Sequence, residues 1–395
     1  MSRTDIDWDR IRSDFLHDPE QTYLNTGSWG VMARPVFDAY TTALRELENN
    51  PTRNRAPLRE KLQRSRSLFS SHLNIQAEDI AFLPNVTAAI NMVVNGLDWE
   101  EGDEVVTTDQ EYGAILNCLD NASNRWGVKI VTAKVPVPPK SADEVLDPIV
   151  ASITSQTKLI VCSHITTRTG MILPIREIAA AAHVRGVLVA IDGAHAPGMI
   201  PLDLTDADVD FYGGNCHKWL CSPKGVGFLF AKPSVQANLH HLVVSWGYNT
   251  KGHITGNTGP TINDAPSMWG LENWGTTDWA AQSAVGDAIA YQQSIGIDVI
   301  TARVRELAGY VRSCVQSEDW IQVLTPTVEG MFGALTTVRL EGLGGRDLAK
   351  WLYQDKRITI PVFEEGDDCS IRVSTHIYNS EAEVDYLLSS IRAFR

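Results

Sequence analysis

The chain has 395 residues, of which 44% are apolar and 21% are charged, and it carries a formal net charge of −14. This length allows a large core and favours two domains, whereas the acidic balance argues against nucleic acid or an anionic membrane as the natural partner. No apolar run reaches the ~18 residues of a membrane span, and the charged N-terminus lacks the apolar segment of a signal peptide. Together with six dispersed cysteines and no Cys-x-x-Cys pair, these features predict a cytoplasmic protein without a disulfide framework or structural zinc.

The first part of the chain predicts helices joined by loops. Trp8, Ile11 and Phe15 share one face of a short amphipathic helix within residues 1–20. Two longer helices are predicted at about 35–48 and 58–73, and the basic stretch 52–57 between them is predicted to be irregular.

From residue 80 onward, short apolar runs alternate with helical patterns. Strands separated by helices in this way indicate an α/β protein with a largely parallel sheet and helices on both faces. The long stretch 240–279 has no clear periodicity and is expected to be functional or an interface, and a helix at 279–295 leads into a smaller α+β region. The predicted strands of the main sheet are 80–83, 104–107, 129–135, 159–163, 187–191, 209–212 and 226–230.

The residues with the clearest chemistry follow two of these strands. Asp192 ends one strand, where open α/β sheets bind their ligands, and Lys218 follows the next strand among small and polar residues. A pyridoxal phosphate (PLP) enzyme requires this combination, because the lysine binds the aldehyde as a Schiff base and the carboxylate keeps the ring nitrogen protonated. A surface lysine and a helix-capping aspartate are the plainer alternatives, and Lys224 is a rival lysine in a Pro-Lys-Gly turn.

The motifs around these residues resemble those of a known family. Asp192-Gly193-Ala194-His195 and Asn215-Cys216-His217-Lys218 are similar to the D-x-A-[QH] and S-x-H-K signatures of class V (cysteine desulfurase-like) PLP enzymes, and in particular to the isopenicillin N epimerase-like branch. Further matches follow in family order over nearly the whole chain: Leu24-Asn25-Thr26-Gly27-Ser28, Asn85-Val86-Thr87, Glu111-Tyr112, Ser163-His164, Gly275-Thr276-Thr277-Asp278 and Arg372-Val373-Ser374-x-His376-x-Tyr378-Asn379.

This resemblance implies PLP fold type I, with a mostly parallel seven-stranded sheet, helices on both faces and a smaller α+β domain. We expect residues 22–280 to form the large PLP-binding domain, and residues 1–21 and 281–395 to form the small domain. The resemblance also implies a homodimer with a shared active site.

The resemblance assigns further cofactor contacts. His195 is expected to donate a hydrogen bond beside the phenolic oxygen of the ring, and Tyr112 to stack on the pyridine face; a buried structural histidine and a core tyrosine are the alternatives. The phosphate is expected at the start of a helix formed by Asn85, Val86 and Thr87. Further phosphate contacts are expected from the side chains of Asn215 and His217, and from Thr276 of a second subunit.

For the substrate, Arg372 is the candidate ligand of the α-carboxylate, because its planar fork binds carboxylates in a bidentate manner. The family motif places Arg372 facing the cofactor, with Asn25 near the same carboxylate. Arg168 has two open interpretations, a ligand for a second anionic group of the substrate or a member of a structural ion pair.

We expect the reaction to begin with transfer of the Cα proton of an amino acid to Lys218. Return of a proton on the opposite face gives an epimerase, the favoured outcome; loss of a β-thiol gives a C–S lyase, and transamination is a further alternative. Persulfide-forming desulfurase chemistry is disfavoured, because Cys369 lies only three residues before Arg372. A metal hydrolase built on Asp192, His195, His164 and His217 explains these residues less well.

Overall fold

The computed structural model describes residues 6–245 and 268–395. Residues 246–267 of the stretch predicted as a long loop lie outside the described residues. None of the helices in these two ranges has both the length and the apolar character needed to cross a membrane.

The described residues form helices throughout and strands in three sheets. The helices are α1 (Trp8–Ser13), α2 (Arg34–Asn49), α3 (Pro51–His72), α4 (Val86–Gly96), α5 (Gly113–Trp126), α6 (Asp143–Ala151), α7 (Ile175–His183), α8 (Leu204–Ala207), α9 (Pro233–Gln236), α10 (Met268–Glu272), α11 (Trp279–Ile295), α12 (Ile297–Val315), α13 (Gly345–Lys350) and α14 (Glu381–Phe394). The strands are β1 (Thr22–Tyr23), β2 (Ile80–Leu83), β3 (Glu104–Thr108), β4 (Lys129–Ala133), β5 (Thr157–Ser163), β6 (Leu188–Gly193), β7 (Phe211–Asn215), β8 (Gly227–Ala231), β9 (Ile321–Val323), β10 (Leu335–Leu340), β11 (Ile358–Thr359), β12 (Val362–Glu365) and β13 (Asp368–Ser374).

The largest sheet has seven strands in the order β2-β8-β7-β6-β5-β3-β4. All neighbours are parallel except β8, which is antiparallel to both β2 and β7. Because β2 and β7 are both antiparallel to β8, they run in the same direction as each other. The carboxyl ends of β2, β6 and β7 therefore meet at one edge of the sheet. The predicted mostly parallel seven-stranded sheet is therefore confirmed, and each predicted strand overlaps an observed one.

Helices cover both faces of this sheet, as the alternation of buried side chains requires. Phe82 of β2 packs on one face in the same apolar cluster as Phe69 of α3 and Ile178 of α7. Leu83, the next residue along the strand, belongs to the cluster on the other face, with residues of α4 and α5. The rings of Phe69 and Phe228 meet edge to face at 4.8 Å, which joins α3 to β8.

A second, antiparallel sheet has the order β12-β13-β10-β9, and α12, α13 and α14 bury its apolar side chains in a separate cluster. The N-terminal segment joins this part of the chain, because β1 pairs with β11 and Arg12 of α1 lies 2.9 Å from Glu383 of α14. The division into a large domain of residues 22–280 and a small domain of residues 1–21 and 281–395 stays a prediction.

The short helices α8, α9 and α10 were not predicted, and two longer elements also differ from the sequence-based expectation. Residues 52–57 are helical, because the Asn50 side chain accepts a hydrogen bond from the Arg53 N–H and Pro51 occupies the first turn of α3, where a missing N–H has no cost. Helix α6 was not predicted, and it contains Pro148, a residue that normally ends a helix.

Candidate active site

A cavity of about 280 Å³ opens at the carboxyl edge of the central sheet. It is lined by most of the predicted site residues: Asn85, Val86, Thr87, Tyr112, Asp192, His195, Asn215, His217, Lys218 and Arg372. It is also lined by residues for which the sequence predicted no role: Gly27, Ser28, Trp29, Ser163, Ile165, Thr167 and Ala194.

The sheet topology explains why residues far apart in sequence converge here. Asp192 lies at the end of β6, in register with Ser163 of β5 and Gly213 of β7. A side chain at position 213 would place its Cβ 2.8 Å from the Cβ of Ala89, so glycine is what allows α4 to approach β7. The first turn of α4 thereby lies beside the ends of β6 and β7.

Lys218 lies at the wall of this cavity, with its Nζ 3.3 Å from Nε2 of His195. The pKa of Lys218 is lowered to about 7, mainly by burial and also by the charge of Arg372, while the charge of Asp192 acts in the opposite direction. The backbone of Lys218 is covered by Gly30, where a Cβ would lie 1.9 Å from the Lys218 carbonyl oxygen. The site therefore holds an amine of which a substantial fraction is unprotonated at neutral pH and able to act as a base or nucleophile.

Asp192 presents a buried carboxyl group at the same wall and is 2% exposed. Its Oδ1 accepts a hydrogen bond from the Ala194 N–H at 2.9 Å. Burial raises the pKa of Asp192, while the Ala194 hydrogen bond and the charge of Lys218 act in the opposite direction. A carboxyl with a raised pKa can share a proton with a basic ring nitrogen.

The start of α4 forms the wall where a phosphate is expected. The Asn85 side chain accepts a hydrogen bond from the Ala88 N–H, and Oδ1 of Asn215 accepts one from the Val86 N–H, both at 2.9 Å. The oxygen of Asn215 therefore caps the helix, while its amide nitrogen, the donor group of this side chain, remains for an anion, and the prediction that Asn215 donates to the phosphate stays a prediction. Thr87 lines the cavity between these capped positions.

His217 adds a second polar group to this wall. Its Nδ1 lies 3.0 Å from the Val226 carbonyl oxygen, so Nδ1 carries a proton and Nε2 is left for a ligand. Burial lowers the pKa of His217 to about 4. A phosphate dianion would favour the protonated form, and only that form donates from Nε2.

Arg372 is a buried cation without an anionic partner among the described residues. Its Nη1 donates to the carbonyl oxygen and to Oγ1 of Thr167 at 3.0 and 2.9 Å. Its Nη2 donates to Oδ1 of Asn25 at 3.3 Å and to Oγ of Ser28 at 3.2 Å. Burial lowers the pKa of Arg372 to about 10. Because an unpaired buried charge is costly, this guanidinium is a candidate position for binding an anion.

Tyr112 stands at the open side of the cavity and is 48% exposed. It precedes the first turn of α5 and is the cap residue of that helix. The alternative of a core tyrosine is thus wrong, because nearly half of the side chain is accessible to solvent or to a ligand.

Glu111, the neighbour of Tyr112, was noted in the sequence only as part of a motif. It is 7% exposed, Oε1 accepts a hydrogen bond from Thr108 at 2.5 Å, and Oε2 accepts one from Ser163 at 2.6 Å. Burial raises the pKa of Glu111 to about 7, more than these hydrogen bonds lower it. Ser163 lines the cavity, so this carboxyl is one hydroxyl group away from the site.

The raised pKa of Glu111 should make the free energy of unfolding depend on pH. In the unfolded chain Glu111 ionises near the ordinary value of 4.5, but in the fold it ionises near 7. Between these values the unfolded state loses its proton first, so the free energy of unfolding falls as the pH rises. Glu111→Gln removes this loss, and the stability of the variant relative to the wild type should increase from pH ~5 to pH ~7 in urea unfolding. A difference independent of pH would contradict a neutral buried Glu111.

Three predicted residues do not line the cavity. Asn25 is joined to it through Arg372. Arg168 lies elsewhere, because its Nη2 pairs with Glu365 at 2.7 Å and its guanidinium lies over the ring of Phe363 at 5.0 Å; this is the structural ion pair of the second interpretation. Thr276 is exposed at the turn before α11 and does not line the cavity of its own chain.

All six cysteines lie within the described residues and are free. Five are buried, and Cys314 is partly buried. None lines the cavity that contains Lys218 and Arg372. Cys369 lies within β13, with its pKa raised to about 11 by burial, and is not poised as a thiolate.

The donor set fits pyridoxal phosphate. The cavity wall combines a lysine amine with a lowered pKa, a buried carboxyl for a protonated ring nitrogen, a helix start for a phosphate and an exposed aromatic ring. The unpaired guanidinium of Arg372 lies at the same cavity and is available to a carboxylate of a second ligand.

Comparison with known proteins agrees with this arrangement. Residues 23–387 match the family described as Aminotransferase class-V. The chain is 34% identical to the isopenicillin N epimerase of Amycolatopsis lactamdurans, with 98% of each chain covered. It is 26% identical to a putative L-cysteine desulfhydrase of Oryza sativa, covering 97% of this chain and 85% of the relative. A solved complex of the cystine C–S lyase C-DES with cysteine persulfide superposes with a TM-score of 0.82 at 23% identity, covering 94% of this chain and 97% of that one.

Proposed function

Because the chain belongs to the class V aminotransferase family, we propose that it is a PLP-dependent epimerase that inverts the configuration at Cα of an amino acid or of a peptide with a free α-amino group. The observation that carries this proposal is one cavity with the Lys218 amine, the Asp192 carboxyl and the unpaired guanidinium of Arg372 at its wall. Bound PLP supplies the conjugated ring that accepts the electron pair left when the Cα proton departs.

The residues of the chain divide the remaining work. Arg372 binds the α-carboxylate of the substrate in a bidentate manner, which fixes how Cα faces Lys218. Lys218 takes the proton from Cα, for which a pKa of about 7 is well suited at neutral pH. Asp192 holds a proton at the ring nitrogen, and Thr87 with the first turn of α4 binds the phosphate.

Inversion requires a second acid that returns the proton on the face opposite to Lys218. Among the ionisable side chains that line the cavity, Asp192, His195 and Arg372 already have hydrogen-bond partners in the described structure. Nδ1 of His217 is also paired, and we assign its remaining Nε2 to the phosphate. The phenol of Tyr112 remains, at the open side. We assign the second acid to Tyr112.

Two further observations favour inversion over persulfide chemistry. A persulfide-forming desulfurase needs a reactive thiolate that reaches the substrate, and no cysteine of this chain lines the cavity. Among the relatives, the epimerase is also the more similar, at 34% identity against 26% for the putative desulfhydrase.

The proposal is tested by proton NMR in D₂O with a panel of L-amino acids, cysteine conjugates and short peptides. An epimerase incorporates deuterium at Cα and accumulates the opposite enantiomer, without keto acid. The second candidate is a C–S lyase, favoured by the similarity to the putative L-cysteine desulfhydrase, and it would release pyruvate and a thiol. Production of pyruvate without inversion would overturn the epimerase assignment.

The same assay tests the second acid. Tyr112→Phe keeps the aromatic ring but removes the hydroxyl, so the inversion rate should fall by about 10²-fold or more, the usual contribution of a general acid. Exchange of Cα hydrogen on the face of Lys218 should continue with retention of configuration. Tyr353→Phe, which removes a phenol from an exposed side chain, is the matched control. Undiminished inversion by Tyr112→Phe would assign the second acid elsewhere.

We further propose a homodimer in the cytoplasm. The exposed position of Thr276, outside the cavity of its own chain, is compatible with a contact to the phosphate bound by a second subunit. Six free cysteines agree with a reducing compartment.

A further inference from the structure

The indole of Trp219 hydrogen-bonds to the histidine that faces Lys218. Its Nε1 donates to Nδ1 of His195 at 3.2 Å, and both side chains are buried, at 0% and 2% exposure. On the other side of the imidazole, Nε2 lies 3.3 Å from Nζ of Lys218 and 3.3 Å from Oγ1 of Thr167. Each ring nitrogen of His195 therefore has a defined neighbour.

The chemistry of the indole group decides which nitrogen carries the proton. An indole N–H can only donate, so Nδ1 of His195 must offer its lone pair. A neutral imidazole has one N–H, which must then be at Nε2. In the Nδ1–H tautomer, the N–H of His195 would point at the N–H of Trp219, and neither of these buried donors would have an acceptor. The cost of an unsatisfied buried donor makes the population of this tautomer at least about tenfold lower than that of the Nε2–H tautomer. Burial and the charges of Lys218 and Arg372 lower the pKa of His195 well below its usual value, which keeps the ring neutral.

We propose that Trp219 is a positioning residue that holds His195 as its Nε2–H tautomer, and thereby makes His195 an obligatory hydrogen-bond donor to the group bound at Lys218. Only the identity of that group, the phenolic oxygen of PLP, rests on the proposed function. The assignment of the proton itself follows from the contacts of this chain.

Trp219 is held in place by residues from two other parts of the chain. The ring of His376 stacks on the indole at 5.9 Å and 22°, and its Nε2 donates to the Trp219 carbonyl oxygen at 2.9 Å. Gln292 donates to the same oxygen at 2.8 Å. The ring of Tyr378 stacks in turn on His376 at 4.9 Å. The C-terminal motif residues His376 and Tyr378 thus acquire a role, since they fix the indole that directs the His195 proton.

The tautomer can be measured directly by ¹⁵N NMR of the holoenzyme labelled at histidine, with His195→Gln identifying the signal of His195. The wild type should show a protonated Nε2 and an unprotonated Nδ1. In Trp219→Phe, which keeps an aromatic ring but has no N–H, the ratio of the tautomers should move about tenfold toward Nδ1–H. Trp99→Phe, which removes an indole donor to the Val94 carbonyl far from this site, is the control and should leave the signal unchanged.

Two additional variants separate positioning from packing. Replacement of Trp219 by benzothienylalanine preserves the bicyclic shape and removes only the N–H, so it answers the question even if Trp219→Phe fails to fold. A glutamine at position 195 cannot tautomerise, so Trp219→Phe should slow Cα–H exchange about tenfold with His195 and have no further effect with His195→Gln. A purely structural role would give equal losses in both backgrounds.

An unchanged Nε2–H signal in the folded benzothienylalanine protein would overturn the proposal. The NMR result does not depend on which product the enzyme forms. If inversion is absent while the tautomer shifts as expected, the assignment of Trp219 stands and only the proposed reaction is rejected.

Discussion

Replacement of Lys218 by alanine is expected to reduce Cα–H exchange by about 10²- to 10⁴-fold, the range in which a general base contributes to a reaction. It should also abolish the visible absorption that depends on attachment of PLP to a lysine. The Lys218 amine lies at the cavity wall and has a pKa of about 7, so it suits both attachment of PLP and removal of the Cα proton. Absorption spectra and exchange in D₂O of the purified variant measure both effects.

Lys224→Met is the matched control for this experiment. Lys224 is the other lysine of the connection between β7 and β8, but its Nζ donates to the Gly30 carbonyl oxygen, and the residue does not line the cavity. The control should keep the lysine-dependent absorption. If Lys218→Ala retains that band and Lys224→Met loses it, the attachment site is wrong.

Asp192→Asn should produce the second large loss, a decrease in Cα–H exchange of about 10- to 10³-fold. An opposite charge within a few ångströms raises the pKa of a base by about 1–3 units, and each unit is a factor of ten in the protonated fraction. The amide has nearly the same shape and can still accept the Ala194 hydrogen bond, but it carries no charge to hold a proton on the ring nitrogen. The loss should therefore appear in the exchange rate without a comparable loss of cofactor binding.

Asp210→Asn distinguishes this effect from the general cost of changing a buried aspartate. Asp210 is 5% exposed, accepts a hydrogen bond from the Val189 N–H and contacts His183, and it does not line the cavity. This control is expected to reduce stability while leaving exchange per folded molecule intact. Equal Cα–H exchange rates in Asp192→Asn and the wild type would mean that a group other than Asp192 keeps the ring nitrogen protonated.

The sequence predicted the central sheet and the main site residues because both depend on local patterns. Short apolar runs identify the strands, and parallel strands place their carboxyl ends at one edge, so Asp192 and Asn85 had to converge. The pairing of Arg168 with Glu365 was not predictable in the same way, since it joins residues far apart in sequence across the two sheets.

Other features depend on three-dimensional burial. The raised pKa of Glu111 follows from the complete enclosure of its carboxyl, which no motif indicates. The direction of the Asn215 oxygen toward the Val86 N–H likewise depends on the approach of α4 to β7, which glycine at position 213 permits. The contact of Trp219 with His195 is a further case, because the two residues lie on separate turns after β6 and β7.

The position of β8 has a consequence for how the protein is made. Among the described residues, strand β2 pairs only with β8 in the central sheet, and residues 84–226 separate the two strands. Helix α4, which we propose to bind the phosphate, follows β2. Pairing over such a distance is slow and must await synthesis of the later strand. In a nascent chain, β2 therefore cannot pair with β8, and the wall proposed to bind the phosphate cannot be completed, before residue 231 has left the ribosome. Completion of that wall thus requires more than half of the chain.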